Sequence, residues 1–409
     1  LMERFRIDLW QTGYFRNVEI VEDRHLDENP PRVDLDIRAA PRARNTYQGT
    51  IGIGSDTGAR LLFSWNRHLI SRNGDSFSLG TGWQDHNDEF FVRGGYRIPR
   101  MKPNTRQFWV ADVLLKRENE DVRVSDIIDD DELYRLGNAD VTDYSIKPGR
   151  LRVYNIDRGF RQLFETVYAQ YLYETVDYRI ATEPGAVDPS VMPTAPGEIR
   201  DERGSETLSF GIDYELPYSR GQGFDLVGQN HRAWAFVSNE AWGSDRDFVQ
   251  LYLSTRWNLR VGDRWKLLLR GEAGYSSADV REDVVELEGK EVILSVTSLP
   301  NLYRFKAGGS TSVRGYGFES LSDSNIGSNN VLTASIEAEV RILDKWSLAG
   351  FVDVGNAFND WSKPRLRTGW GIGLRWYSIA GAIRVDLAQG LDLPDKPWQI
   401  HFTIGTSLL

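Results

Sequence analysis

The 409-residue chain has no cysteine, so neither a disulfide framework nor a thiolate metal site can form. It has no run of 18 apolar residues, which excludes a transmembrane helix. It does not exclude a β-barrel, whose strands need only about 10 residues each. Histidines are few: His25, His68, His86, His231 and His401, none at the spacing of a metal-ligand pair. There is no Gly-x-Ser-x-Gly elbow and no phosphate-binding P-loop. Nothing argues for an enzyme, and no cofactor or metal is called for. The formal net charge of −10 argues against nucleic acid as a partner. The chain opens at Leu1 with no signal peptide, which reads as a mature fragment.

What is abundant is aromatic residues and glycine: 13 Trp, 17 Tyr, 18 Phe and 38 Gly. With ordinary hydrophobic content, that mixture suits a sheet whose residues alternate between lipid and water. From Thr46 onward the chain reads as strand after strand. Leu208, Phe210, Ile212, Tyr214 and Leu216 oppose polar neighbours, as do Leu332, Ala334, Ile336, Ala338 and Val340. The opposing face is ionic as well as polar: Thr333, Ser335, Glu337, Glu339 and Arg341. Roughly 16 such strands, many of 10 or more residues and none separated by a helix, predict an all-β, 16-stranded antiparallel transmembrane barrel. Trp83, Trp109, Trp242, Tyr275 and Trp376 suit the interfacial girdle. Residues 45–409 are assigned to the barrel.

Residues 1–44 differ. Leu1 to Trp10 suits a short helix, and Val18–Val21 and Arg32–Ile37 suit two strands around the Asn29-Pro30-Pro31 turn. Helix, strand and strand form an incomplete α+β unit. Two stretches lack alternation. Glu118 to Pro148, with Asp129-Asp130-Asp131-Glu132, and the proline-bearing Thr182 to Gly204 both read as long loops. The acidic run reads as a solvated loop face rather than a cation site.

The most informative stretch is Gly308-Gly309-Ser310-Thr311-Ser312-Val313-Arg314-Gly315-Tyr316-Gly317-Phe318, within a loop near 308–328. On these residues alone it reads equally well as a flexible surface loop with a solvated arginine. Strand parity adds two carboxylates. If Val352 and Val354 face lipid, Asp353 points inward, and Glu337 does so on the preceding strand. A loop folded into the lumen would let the planar fork of Arg314 pair with either one. The alternative is three unrelated charges in a wet lumen.

Val313-Arg314-Gly315-Tyr316 resembles the VRGY loop motif of the outer-membrane assembly and two-partner secretion superfamily that includes BamA and TamA. Phe351-Val352-Asp353-Val354-Gly355 resembles its second signature, FxDxG, which places Phe351 and Gly355 beside Asp353. Thr12-Gly13-Tyr14-Phe15-Arg16-Asn17-Val18 is similar to the helix-to-strand turn of a POTRA domain, so residues 1–44 are expected to be the C-terminal part of one. Ala241-Trp242-Gly243-Ser244-Asp245, the Thr368–Trp376 stretch and the ending Phe402-Thr403-Ile404-Gly405 look most like the TamA branch.

The resemblance implies a protein of a Gram-negative outer membrane, in contact with the lipid bilayer, with its POTRA part in the periplasm. It implies insertion or translocation of outer-membrane clients, autotransporters among them. An inner-membrane partner such as TamB would dock through further, upstream POTRA domains. The implied mechanism is β-augmentation at a lateral seam between the first and last strands. Glycine weakens strand interiors, so Gly49, Gly52 and Gly54 on the first strand and Gly405 on the last are the candidate seam residues. A BamA-type insertase and a two-partner secretion transporter remain alternatives within the superfamily, and a passive porin outside it.

Overall fold

The computed structural model describes residues 5–6, 9, 14–27, 29–100, 106–126, 133–156, 161–180, 201–287, 290–323, 327–378, 381–394 and 396–405. An antiparallel pair comes first, β1 (Phe15–His25) and β2 (Arg32–Pro41), in register at Ile20 opposite Ile37. Of the expected helix over 1–10, Phe5, Arg6 and Leu9 are described and are helical; the other positions lie outside the described residues. The pair meets the barrel where the Tyr14 hydroxyl donates to the Gly74 carbonyl at 2.6 Å.

Eleven barrel strands follow: β3 (Asn45–Gly54), β4 (Gly58–Arg67), β5 (Ser76–Gln84), β6 (Glu89–Pro99), β7 (Gln107–Asp126), β8 (Leu133–Ile156), β9 (Arg161–Ile180), β10 (Asp201–Arg220), β11 (Val227–Ser238), β12 (Phe248–Val261) and β13 (Trp265–Ser276). A hairpin of β14 (Val280–Leu287) and β15 (Lys290–Thr297) interrupts the series. Five more barrel strands complete it: β16 (Asn330–Leu343), β17 (Trp346–Phe358), β18 (Arg367–Ser378), β19 (Gly381–Gly390) and β20 (Trp398–Gly405). Each pairs antiparallel with its neighbour, and β13 pairs directly with β16 from Trp265↔Val340 to Gly274↔Val331. The result is a closed barrel of sixteen strands, and closure leaves every interior strand paired on both sides.

The alternation seen in the sequence becomes an outer belt and a polar lumen. Ile336 (60% exposed), Val352 (53%), Ile372 (59%) and Ile400 (67%) project outward, while their neighbours Glu337, Asp353 and Arg375 are buried inside. In hydrocarbon this arrangement satisfies the backbone by inter-strand bonds and sets a mainly apolar surface against lipid. Trp109, Trp242, Tyr275 and Trp376 lie exposed on the outer surface.

One expectation is overturned. Glu118 to Pro148 is not a long loop: β7 continues to Asp126 and β8 begins at Leu133, with Glu118↔Val141 and Lys116↔Asp143 in register. These strands are twice the length of β3 or β4 or more, and Glu118, Glu120 and Asp143 on them are buried. Of the stretch 182–204, residues 182–200 lie outside the described set, and Asp201 to Gly204 belong to β10.

Among the described residues, closure is the shortest pairing between consecutive barrel strands. Among the described residues, β20 meets β3 only at Thr403↔Gly54 and Ile404↔Ile53. The adjoining turn adds two bonds, Ser55 N–H to the Phe402 carbonyl (2.9 Å) and Phe402 N–H to Ser55 Oγ (3.1 Å).

Candidate functional site: the arginine loop and the barrel seam

The segment between the β14–β15 hairpin and β16 folds into the lumen. Its base packs Leu299 and Tyr303 against Leu172, Phe236 and Phe248 of the wall. Asn301 donates from Nδ2 to Glu118 Oε1 at 2.7 Å and from its backbone to Glu174, and Lys306 pairs with Glu120. Glu118 and Glu120 of β7 are therefore partners of the loop rather than of solvent. Further along, Phe305 and Ala307 pack with Val331 and Ala357.

At the tip, Val313, Arg314 and Tyr316 are buried, each 2% exposed or less. Gly315 holds φ at +91°, a left-handed conformation that glycine adopts without steric cost. The tip backbone is packed against the wall, and a Cβ at 315 would lie 2.6 Å from the peptide of Gln389 and Gly390. Arg314 engages both carboxylates at once. Nε donates to Asp353 Oδ2 (2.7 Å), Nη2 to Asp353 Oδ1 (3.0 Å) and Nη1 to Glu337 Oε2 (2.6 Å). Its own backbone N–H also donates to Asp353 (3.1 Å), and the guanidinium lies over the Phe351 ring, 3.3 Å from the centroid. Tyr316 donates to Asp392 Oδ2 at 2.9 Å.

The surrounding network reaches residues that the sequence did not single out. Arg375 of β18 donates from Nη2 to Glu337 Oε1 (2.9 Å) and pairs from Nη1 with Asp386 Oδ1 (2.7 Å). Ser335 donates to Asp353 (2.5 Å), and Arg270 of β13 donates to the Thr311 carbonyl (2.5 Å). Two buried arginines thus share three buried carboxylates, which leaves few lone pairs unmet in a low-dielectric interior.

Room for this comes from the lumenal face of β18, where Gly369, Gly371 and Gly373 alternate. A Cβ at 369 would run into the Arg314 carbonyl, and one at 373 into the Asp386 carboxylate and Arg375 guanidinium. A Cβ at 371 would sit 2.6 Å from the Phe351 ring. The glycines form a groove against which the anchor lies. Gly355 has a similar reason: a Cβ there would lie 2.6 Å from the Leu332 carbonyl of β16.

The loop also touches the seam from within. Gly315 N–H donates to Nε2 of His401 on β20 at 3.0 Å. That nitrogen must carry the lone pair, so Nδ1 bears the hydrogen and faces Asp56 Oδ1 at 3.4 Å. Asp56 lies in the β3–β4 turn and accepts the backbone N–H of Ser310 at 2.5 Å. Burial pushes the Asp56 carboxyl up, but hydrogen bonds from His401 and Ser310 outweigh it and hold the group down at about 2. One loop therefore bonds the last strand and the turn that follows the first.

The four glycines read as seam residues have different surroundings. Gly54 lies against the Phe402 carbonyl (3.3 Å from a Cβ), and Gly52 leaves space for Arg60, whose Nε would be 2.6 Å from a Cβ. Nothing lies within 4 Å of a Cβ at Gly49. Gly405 pairs with Ala382 of β19.

Residues 221–408 match the Omp85 superfamily domain. That stretch contains the arginine loop, the glycine groove and the last strand. Three solved structures share the fold across nearly the whole chain. BamA from Haemophilus ducreyi, in a form lacking POTRA domains 1–3, is 16% identical with a TM-score of 0.68, over 99% of this chain and 78% of that one. CdiB from Acinetobacter baumannii is 15% identical with a TM-score of 0.57, over 97% of this chain and 67% of that one. CdiB from Escherichia coli is 13% identical with a TM-score of 0.55, over 99% and 70%. At these identities the likeness is one of fold.

The Omp85 match and the inward-facing parity of Glu337 and Asp353 concern the same strands. Parity also marks Arg375 and Asp386, because each stands opposite lipid-facing neighbours, and that signal would have found them. His401 carried the same inward signal; its pairing with Asp56, 345 positions away, follows only from closure.

Proposed function

We propose that this chain is the barrel of an outer-membrane assembly factor that inserts or translocates other outer-membrane proteins through the seam between β3 and β20. The observation that carries the reading is the double attachment of the arginine loop, to His401 on the last strand and to Asp56 beside the first. A buried anchor joined to the last strand and to the turn after the first suits a barrel that must stay folded while its seam is exchanged for a client strand. The exposed edge of β3 would supply backbone donors and acceptors, and in hydrocarbon each unpaired group costs several kcal/mol, which favours capture of an incoming strand. No nucleotide is required.

Within this class we favour a TamA-like role, with autotransporters among the clients and an inner-membrane partner of the TamB kind reached through periplasmic POTRA domains. The support is the sequence resemblance of the 241–245 and 368–376 stretches. The porin alternative is disfavoured by the loop itself, whose buried ion network occupies the lumen where an open channel would run. The test is a cross-link between the paired positions Ile53→Cys and Ile404→Cys. In liposomes, the oxidised barrel should fail to insert an autotransporter and recover on reduction. Normal insertion by the oxidised form would rule out the seam as the route.

A further inference from the structure

A cavity of about 320 Å³ lies in the lumen just behind the seam, bounded by Gly54, Thr403, Ile404 and the arginine loop. Its wall is unbalanced in charge. Arg256 and Arg270 stand directly opposite each other on β12 and β13, and Arg375 and Arg384 do so on β18 and β19. Like charges directly opposite destabilise a sheet unless something neutralises them. In each pair one member is already engaged: Arg270 with the loop and Asp353, Arg375 with Glu337 and Asp386. Among the described residues Arg60, Arg256 and Arg384, all of which line the cavity, form no salt bridge, although Arg384 is near enough to Glu337 to share that carboxylate's field with Arg314 and Arg375. Nε of Arg384 is sealed from solvent without a hydrogen bond. The acids that line the same space are taken. Asp56 is held by Ser310 and His401, and Glu337 and Asp386 by Arg314 and Arg375.

We propose that this chamber is an oxyanion site, in which Arg60, Arg256 and Arg384 jointly hold a phosphate or carboxylate group. The planar guanidinium fork suits such a group, and the partly walled lumen strengthens the contact relative to open water. An occupant would tie β4, β12 and β19 together beside the closing strands. The inference does not depend on the assembly role, because it concerns a ligand of the closed barrel.

The test uses the whole chain in detergent micelles at constant ionic strength, with chloride as the reference anion. Inorganic phosphate and a short acidic peptide are titrated separately by calorimetry, and the urea midpoint is followed in parallel. Saturable binding of either probe with a raised midpoint is expected. Phosphate alone assigns the site to a free or lipid-borne phosphate, and the peptide alone assigns it to polypeptide carboxylates. Arg384→Gln should weaken binding by about tenfold, and the more open Arg256→Gln by about threefold. Without added anion both variants should be as stable as the native barrel or more so, since each relieves a like-charge pair. The proposal is overturned if neither probe binds, if the double variant binds as well as the native chain, or if both variants lower the anion-free midpoint.

Discussion

Replacing Arg314 by alanine removes three charge-assisted hydrogen bonds, at 2.7, 3.0 and 2.6 Å, from a side chain that is 3% exposed. At about 1.5–3 kcal/mol each, they would sum to about 5–9 kcal/mol. Their partners are not left bare, however. Glu337 keeps Arg375 at 2.9 Å, and Asp353 keeps the Ser335 hydroxyl at 2.5 Å and Arg270 at 3.6 Å. The expected loss is therefore about 3–5 kcal/mol, the usual cost of breaking a buried pair. Urea unfolding in lipid vesicles, followed by tryptophan fluorescence, measures it through the midpoint and slope. Arg314→Lys should recover only part, because one ammonium cannot span both carboxylates with the fork geometry. In a cycle with Asp353→Asn, the coupling should be about 1–3 kcal/mol. A loss below about 1 kcal/mol, or an additive cycle, would refute the view that the arginine anchors the loop.

Gly373→Ala should destabilise by about 1–3 kcal/mol, since its Cβ meets the Arg375–Asp386 pair, whereas Gly350→Ala, with nothing within 4 Å, should be close to neutral in the same assay. His401→Gln retains an acceptor for the Gly315 N–H and should preserve closure better than His401→Ala, read as the rate at which a thiol at position 53 becomes accessible to a membrane-permeant reagent. Asp56 titrates lower in the folded barrel, at about 2, than the ordinary carboxylate value of about 3.9. Its contribution is thus complete above pH about 4 and is lost as the pH falls through about 2. Seam accessibility should rise across that window in the native chain, and Asp56→Asn should remove that pH dependence.

The barrel was legible because lipid imposes a period of two on each strand that crosses it. Ile336, Glu337 and Ala338 declare their faces without help from distant residues. The same rule failed at Glu118 to Pro148 for a physical reason. Alternation marks lipid on one face, and β7 and β8 run on beyond the length of the shorter strands, where the outer residues need not be apolar. The acidic run Asp129-Asp130-Asp131-Glu132 lies outside the described residues, while Glu118 and Glu120, at the start of the same stretch, bind Asn301 and Lys306 inside. The pairing of Arg314 with both Glu337 and Asp353 was half legible. Parity placed the carboxylates inward, but it could not say that one guanidinium would reach both. The β18 glycines were visible as letters but not as a groove, because their role depends on side chains arriving from β17, β19 and the loop.

The two ends of the arginine loop differ in what they can tolerate. Its wall contacts rest on buried ion pairs with several partners each, so losing one bond leaves others in place. Its seam contacts are fewer: the Gly315 N–H on His401, and Ser310 on Asp56. Opening the seam would break those contacts and the short β3–β20 pairing while leaving the Arg314 network intact. The wall network and the seam should therefore separate in their response to mutation. Variants at His401 or Asp56 should change seam accessibility with little change in the urea midpoint. Variants at Arg314 or Arg375 should lower the midpoint first. If both sets moved both readouts together, the loop and the seam would be one cooperative unit, and opening would require the anchor itself to release.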